Sequence, residues 1–290
     1  SLERQEIIAG AEALKQAQEG ADDISCLPTL ELCDIPKEEE ITPYRGETLR
    51  GTRLFSFSQA TNGIGYFNTH LDLREIPEEL RGLVPVFSYL LTRIGAGGND
   101  YLAMAERIAA YTGGIRAGTL VLNDPCRLDP HKNILEVRGK ALIRNQEKMF
   151  AIIKDILTAP DFSDLRRLAT LLDQLKISLL NSIPGSGHHY AAHIAAARLT
   201  AAGRQREEWG GLDFVRRAQS LAGQDDGQLA AFAGRMKEMS VFIAEQGSCH
   251  HSLVARKEEL EDMAAGMAVL TDNWPGRSDS LFVPAAGFAP

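Results

Sequence analysis

The chain has 290 residues, of which 44% are hydrophobic and 24% are charged, and its formal net charge is −8. This composition is typical of a globular protein. The acidic excess argues against nucleic acid as the main partner, because a phosphate-binding surface needs clustered cations. No apolar run reaches the roughly 18 residues that cross a bilayer, so we expect no membrane partner.

The cysteine content and the N-terminal residues bear on the compartment. The four cysteines show no C-x-x-C spacing and are too sparse for a disulfide scaffold, and no N-x-S/T sequon occurs. Charges are scattered through the first 19 residues, which is unlike a signal peptide. We therefore expect a protein that is not secreted and that works in a reducing compartment, such as the bacterial cytoplasm or an organelle matrix.

The N-terminal part of the chain is predicted to be a linker. Residues 2–19 place apolar side chains at helical spacing, which predicts an amphipathic helix. Pro28, Pro36 and Pro43 then interrupt any regular element and predict an extended strap. We assign residues 1–45 to the end of a helical linker followed by this strap.

From about Leu49 the pattern predicts strands and helices in the order ββαα, ββ, a helical tract, then βα. Asn62-Gly63 lies between two strand patterns and predicts a hairpin turn. Pro85 suits the first turn of a helix, and Asn99 or Asp100 is a candidate N-cap. The predicted strands are 52–58, 64–73, 114–123, 133–143 and 248–255. The predicted helices are 77–95, 99–114, 145–158, 163–182, 187–204, 209–222, 226–239 and 257–270.

This order predicts an α+β fold. Hairpin-joined strands with helices between them favour an antiparallel or mixed sheet covered by helices on one face, accompanied by a long helical tract. After Trp274-Pro275-Gly276 a new segment begins, and we expect both ends of the sequence to lie inside a longer protein.

The stretch GSGHHYAAH contains the most suggestive spacing for chemistry. His189 and His193 would share one face of a helix, which is half of a zinc site. No carboxylate lies between them to activate water, and the following IAAARLTAA suggests a closely packed helix. Ser186 is interpreted as an N-cap, and it is too near His188 in sequence for a nucleophile pair. His188 and Ser186 remain loop candidates, and a metal hydrolase that uses His189, His193 and a distant carboxylate stays open.

The other histidines give no constellation. His250 and His251 are adjacent on a predicted strand, so we expect them to face opposite sides, one exposed and one packed. His70 and His131 are isolated in the sequence.

Several motifs in consistent order resemble one family. They are CLPTLELCDIPKE, TNGIGYFNTHLDLREIPEELRGLVPVFSYLLTRIGAG, YTGGI, and GSGHHYAAHIAAARLTAAG followed by GGLDFV. Together they are similar to the presequence protease and falcilysin branch of the pitrilysin–insulinase zinc metallopeptidases, from about Ser25 to Leu270.

The resemblance implies a large parent protein with four similar α+β domains, which close around a chamber and degrade short unstructured peptides. This chain resembles the third domain, at residues 46–272, and residues 273–290 would begin a further domain. Aligning the shared Gly-Leu of the catalytic motif places Pro85, Ser88 and Tyr89 at the zinc-ligand and general-base positions. The resemblance thus implies no catalytic residue, metal or cofactor in this chain, and zinc in the parent protein.

The partners implied are the other domains of the same polypeptide and, in the parent, unstructured peptides; the net negative charge would suit cationic ones. The expected role is a non-catalytic part of the chamber wall. The alternatives are the metal hydrolase above and a free-standing non-catalytic interaction subunit.

Overall fold

A computed structural model of the chain describes residues 2–20, 27–38, 41–49, 51–124, 127, 130–246 and 248–271. The chain divides into two units, Ser1–Thr42 and Pro43–Pro290. In the first unit, helix α1 spans Leu2–Glu19 as predicted, and a short 3-10 turn spans Leu32–Asp34. The predicted segment from residue 273 onward and the cysteines Cys26 and Cys126 lie outside the described residues.

The second unit is built on a six-stranded sheet. Its strands are β1 Arg45–Leu49, β2 Thr52–Ser58, β3 Ile64–Asp72, β5 Ile115–Asn123, β6 His131–Leu142 and β8 Ser248–Ala255. A second ladder joins β4 Gly95–Ala96 to β7 Pro160–Asp161. The strand order in the large sheet is β1-β2-β8-β3-β6-β5, and β2 and β8 pair in parallel, whereas the other neighbours are antiparallel. The predicted mixed sheet of an α+β fold is therefore confirmed.

The helices of this unit leave one face of the sheet open. Alternate strand residues such as Phe67, Leu71 and Leu253 point into the apolar core, because successive side chains of a strand face opposite sides. The residues between them, such as Tyr66 and His70, remain on the open face and are partly exposed. The helices are α2 Glu78–Arg81, α3 Val84–Leu91, α4 Tyr101–Tyr111, α5 Gln146–Thr158, α6 Leu165–Ala196, α7 Ala201–Gly210, α8 Leu212–Leu221, α9 Asp226–Gln246, α10 Lys257–Gly266 and α11 Ala268–Thr271.

The predicted turn at Asn62-Gly63 and the predicted cap at Asp100 are confirmed, but the predicted hairpin is wrong. Asn62 and Gly63 take φ values of 50° and 77° in the turn between β2 and β3, the left-handed conformations that the Asn-Gly sequence predicts. The two strands do not form the predicted hairpin, because β8 lies between them and pairs with both. Asp100 caps α4 by accepting a hydrogen bond from the Ala103 backbone N–H at 2.8 Å. Pro85 lies in the first turn of α3, where its missing N–H costs nothing.

Two element predictions in the first half of this unit are wrong. The segment predicted as one helix over 77–95 is divided at Gly82 and Leu83 into α2 and α3, since Pro85 cannot continue a helix that began earlier. Strand β1 was missed because its residues RGETL are polar; backbone pairing with β2 forms it.

The helical tract differs from the prediction around residues 184–200. The predicted helix 163–182 and the first part of the predicted helix 187–204 form one helix, α6, which ends at Ala196. It is interrupted at Ser186, where φ is −123° and ψ is 19°. Pro184 explains the interruption, since proline removes a helical hydrogen bond and bends the axis. Thr200 then caps the separate helix α7 by accepting from the Gly203 N–H at 2.9 Å. Across the described residues, none of the helices has both the length and the hydropathy of a membrane span.

Candidate functional site

Helix α3 carries the three residues that the family resemblance aligns with a zinc motif. Pro85 and Ser88 are buried, and the Ser88 hydroxyl donates to the Pro85 carbonyl oxygen at 2.9 Å. The Tyr89 ring packs under the Arg93 guanidinium, with 4.2 Å between the guanidinium carbon and the ring centroid. Pro85 and Ser88 are packed in the interior, and Tyr89 packs against the core and the residue Arg93 that follows α3. A proline, a serine bonded to its own helix and a tyrosine stacked on arginine do not make a zinc-binding set.

The second half of α6 holds Ser186, His188, His189 and His193, and the structure does not bring a third ligand to them. The rings of His188 and His189 lie 4.3 Å apart by their centroids, and both residues are exposed. Among the described residues, no group of three or more His, Cys, Asp or Glu is arranged to hold a metal ion. The backbone at Ser186 leaves the helical conformation, as a junction between two helices requires, but the chain resumes the helix directly after it and forms no separate capped element.

The prediction that this helix is closely packed is wrong. Buried residues of α6 end at Leu175, and Ala191, Ala192 and Ala195 are exposed. Small side chains allow close approach of a neighbour but do not supply one. Across the kink, the Ser182 hydroxyl lies 2.9 Å from the Tyr190 hydroxyl, which ties the two halves of the helix together.

The open face of the sheet carries a polar cluster that sequence reasoning missed. The strand register places His70 of β3 between Glu136 of β6 and His250 of β8. The His70 Nε2 atom lies 3.2 Å from the Glu136 carboxylate, and its Nδ1 atom lies 3.0 Å from His250 Nε2. The Asn68 amide nitrogen also donates to Glu136 at 3.1 Å. Period-two alternation put these residues on one face, but the pairing of strands distant in sequence was needed to join them.

Burial constrains the protonation of His250 in this cluster. The pKa of His250 is lowered to about 4, first by burial and then by the neighbouring charges of His70, Lys132 and Arg53. A neutral His250 can donate from Nε2 to His70 Nδ1, which leaves the His70 Nε2–H to donate to Glu136. One chain of hydrogen bonds then joins both imidazoles to the carboxylate at neutral pH.

His251 faces the other side of the sheet, in the core. Its ring stacks on Phe67 at 5.6 Å between centroids, and the Cys249 sulfur lies 3.7 Å from its Nε2 atom. Burial, and secondarily the charge of His250, lowers the pKa of His251 to about 3. The expectation that His250 and His251 face opposite sides is confirmed. His250 is half-buried against Phe55 and His70 and not fully exposed.

Next to the histidine cluster, the open face forms a cleft of about 350 Å³. Three cationic side chains, Arg116, Arg138 and Lys140, line the part formed by β5 and β6. Tyr66 and Asn68 of β3, with Ser252 and Val254 of β8, line the remainder. The cleft can hold a ligand that combines negative charge with an apolar group. The sequence signal was the alternation of cations in GIRAG and EVRGK, which lies on two paired strands.

Comparison with known proteins identifies relatives over most of the chain. Presequence protease of Danio rerio mitochondria is 29% identical over 276 residues, which cover 95% of this chain and 27% of that protein. The mitochondrial presequence protease of Mus musculus is 31% identical over 225 residues, covering 77% of this chain and 22% of that protein. The chain thus spans about a quarter of the length of the curated relatives it matches.

A solved structure supports the fold. The crystal structure of a conserved protein from Enterococcus faecalis V583 superposes with a TM-score of 0.53 at 12% identity, covering 81% of this chain and 54% of that one. At this identity the likeness concerns the fold alone.

The family model described as "Peptidase M-16C associated" matches residues 1–221. That match covers α1, the strap, β1 to β6 and the helical tract to the end of α8. It agrees with the resemblance to the pitrilysin type of peptidase, which the motifs indicated. The chain belongs to this peptidase-associated family of the pitrilysin type.

Proposed function

We propose that this chain is a non-catalytic segment of a longer zinc metallopeptidase that degrades short unstructured peptides. The observation that carries the proposal is helix α3, with the sequence VPVFSYLL, in which Pro85, Ser88 and Tyr89 are engaged in packing. The relatives are named presequence proteases and are about four times longer, which supports a role as one part of such an enzyme. Zinc and the residues that activate water would belong to another part of the polypeptide.

The same proposal assigns the open face of the sheet to the wall of the peptide-enclosing chamber. One face of the sheet is filled by the core, while the opposite face carries a half-buried polar cluster and a cleft. Such a face suits contact with an extended peptide, because it offers partly exposed polar and charged partners for one. The other domains of the same polypeptide would cover apolar side chains exposed in the first unit, such as Leu30 and Leu32. The mitochondrial and chloroplastic names of relatives favour an organelle as the compartment.

The first test is elemental analysis of the purified chain beside a fluorogenic-peptide cleavage assay. We expect substoichiometric zinc and no cleavage. One equivalent of zinc that disappears in a His189→Ala variant would instead support the metal hydrolase.

The second test places a bulky maleimide on the longer polypeptide that contains this segment. Ser252→Cys puts the label on the open face, and Glu238→Cys puts a matched label on the exposed side of α9. Cys26, Cys33 and Cys126 are replaced by serine in both variants. We expect the label at Ser252→Cys to slow peptide turnover and the label at Glu238→Cys to leave it unchanged. Equal rates would contradict a chamber-wall role of this face.

A further inference from the structure

The cleft on the open face concentrates positive charge in a chain whose net charge is −8. Arg116 of β5 is the direct register partner of Arg138 of β6, and Lys140 lies two residues farther along β6. Arg138 forms an ion pair at 3.7 Å with Glu136, which is also held by His70 and Asn68. Beyond the backbone ladder, the Arg116 side chain makes no hydrogen bond or ion pair with another residue that the structure describes. The local charge is therefore opposite in sign to that of the chain.

This pairing of two arginines is unfavourable by itself. Like charges directly opposite each other on neighbouring strands destabilise a sheet. An anion placed between the two guanidinium groups removes that repulsion, and each guanidinium can bind a carboxylate with two parallel hydrogen bonds. The pair is thus arranged for a carboxylate ligand.

The third cation is held beside this pair by the turn before β5. The Gly113 backbone N–H donates to the Lys140 carbonyl oxygen at 2.7 Å. A Cβ atom added at Gly113 would lie 3.0 Å from two carbons of the Lys140 side chain, so that side chain runs directly over Gly113. Gly114 follows with φ of 113°, a conformation that favours glycine. The turn therefore supports Lys140 at the edge of the cleft.

On the same face of the sheet, the residues in register with Arg138 and Lys140 lead across β3 and β8 to an aromatic patch on β2. Asn68 of β3 is the register partner of Ser252 of β8, which is in turn the partner of Phe55 of β2. In the same way, Tyr66 is paired with Val254, which is paired with Phe57. Tyr44 completes this aromatic patch, with its ring centroid 5.8 Å from those of both Phe55 and Phe57. Because β2 and β6 are three strand spacings apart, the aromatic patch lies about 14 Å from Arg138 and Lys140. An extended peptide covers that distance with about four residues.

We propose that the cleft binds an extended peptide with acidic side chains, whose carboxylates contact Arg116, Arg138 and Lys140 while an apolar residue about four positions away packs on Phe55 and Phe57. Binding of such a peptide does not depend on the proposed function; only the statement that the peptide is a substrate of the longer enzyme rests on it. A polyanion such as nucleic acid suits the site less well, because the negative chain around a cleft of about 350 Å³ repels it.

The test uses fluorescently labelled peptides and the whole chain. The peptides share one phenylalanine and, four residues later, carry a group of glutamates, glutamines or lysines, each with a free or an amidated C-terminus. We expect fluorescence anisotropy to show binding of the glutamate peptide, insensitive to amidation and weakened by salt. Loss of binding on amidation would assign the cleft to a C-terminal carboxylate and overturn the side-chain proposal, and so would tighter binding of a labelled single-stranded oligonucleotide.

Three variants locate the site. Arg116→Gln and Arg138→Gln each remove one charge-assisted contact and should weaken the glutamate peptide about tenfold. Arg166→Gln, an exposed arginine on α6 outside the cleft, is the matched control and should leave binding unchanged. Arg116→Glu should shift the preference toward the lysine peptide. Equal binding by Arg116→Gln, Arg138→Gln and Arg166→Gln would overturn the proposal. The chamber-wall role would still be tested separately by the maleimide experiment.

Discussion

The Nδ1 atom of His70 lies 3.0 Å from the Nε2 atom of His250, although 180 positions separate the two residues in the chain. The hydrogen bond requires one ring nitrogen to donate and the other to accept, so both imidazoles cannot be fully protonated and keep it. The lowered pKa of His250 agrees with this requirement. The sheet therefore carries two histidines, His250 and His251, that the folded state holds neutral on opposite faces.

Acid should destabilise the protein through these histidines. An unfolded histidine binds a proton near pH 6.5, whereas folded His251 binds one only near pH 3. Between these values the unfolded state holds more protons, so the free energy of unfolding falls as the pH falls. For His251 the loss between pH 7 and pH 5 amounts to about 2 kcal/mol. Urea unfolding at both pH values measures it.

Variants of single histidines separate this effect from general acid denaturation. His251→Leu removes the titrating group from the core and should reduce the difference between pH 7 and pH 5. His188→Gln removes an exposed histidine and should leave that difference as in the wild type. If His251→Leu keeps the full pH dependence, His251 does not cause it.

Glu207 should stabilise the junction between α7 and α8. Its buried carboxylate accepts from the backbone N–H of Leu212 at 2.9 Å, which caps the start of α8 from the preceding helix. Gly211, the N-cap position, has no side chain for this purpose. We expect Glu207→Ala to lower the free energy of unfolding by about 1–2 kcal/mol, the usual effect of losing an N-cap.

Glu207→Gln keeps an acceptor oxygen and should lose less stability than Glu207→Ala. Glu238→Ala, at an exposed position of α9, serves as the control for helix composition. Denaturant titrations in which Glu207→Ala and Glu238→Ala coincide would contradict the capping role.

The turn at Gly114 should not tolerate a side chain. Gly114→Ala forces a φ near 113° on alanine and should cost about 1–3 kcal/mol of stability. Gly118→Ala in β5 is the matched comparison, because a Cβ at Gly118 meets no atom within 4 Å. We expect Gly118→Ala to be neutral or slightly stabilising, since it restricts the unfolded chain. Thermal unfolding compares the two, and equal melting temperatures would refute the strain at Gly114.

Metal removal should leave the thermal stability of this chain unchanged. The exposed His189 and half-buried His193 do not gain a third ligand among the described residues, so the fold does not need zinc there. We expect the melting temperature to be the same with and without EDTA, and the double variant His189→Ala/His193→Ala to behave like the wild type. A drop in melting temperature on chelation that the double variant lacks would establish a metal site.

Local features of the sequence predicted the elements well, because local chemistry forms them. Asn62-Gly63 and Asp100 act through their own backbone conformation and hydrogen bonds, so neighbouring residues suffice to recognise them. Alternation in β3 likewise separated the core face of Phe67 from the open face of Tyr66. The helix containing HYAAH was misjudged for the opposite reason, since small side chains indicate that packing is feasible without saying whether a neighbour exists.

The sequence by itself determined the α+β class and the family resemblance, and that resemblance aligns Pro85, Ser88 and Tyr89 of α3 with the zinc motif. Only the tertiary structure decided that β8 lies between β2 and β3. Because β8 lies there, His250 is placed next to His70. The aromatic patch on β2 is also placed in register, across the sheet, with the cations on β5 and β6. Strand order and register depend on burying one face of the whole sheet at once, an energy shared among distant segments and not contained in any one of them.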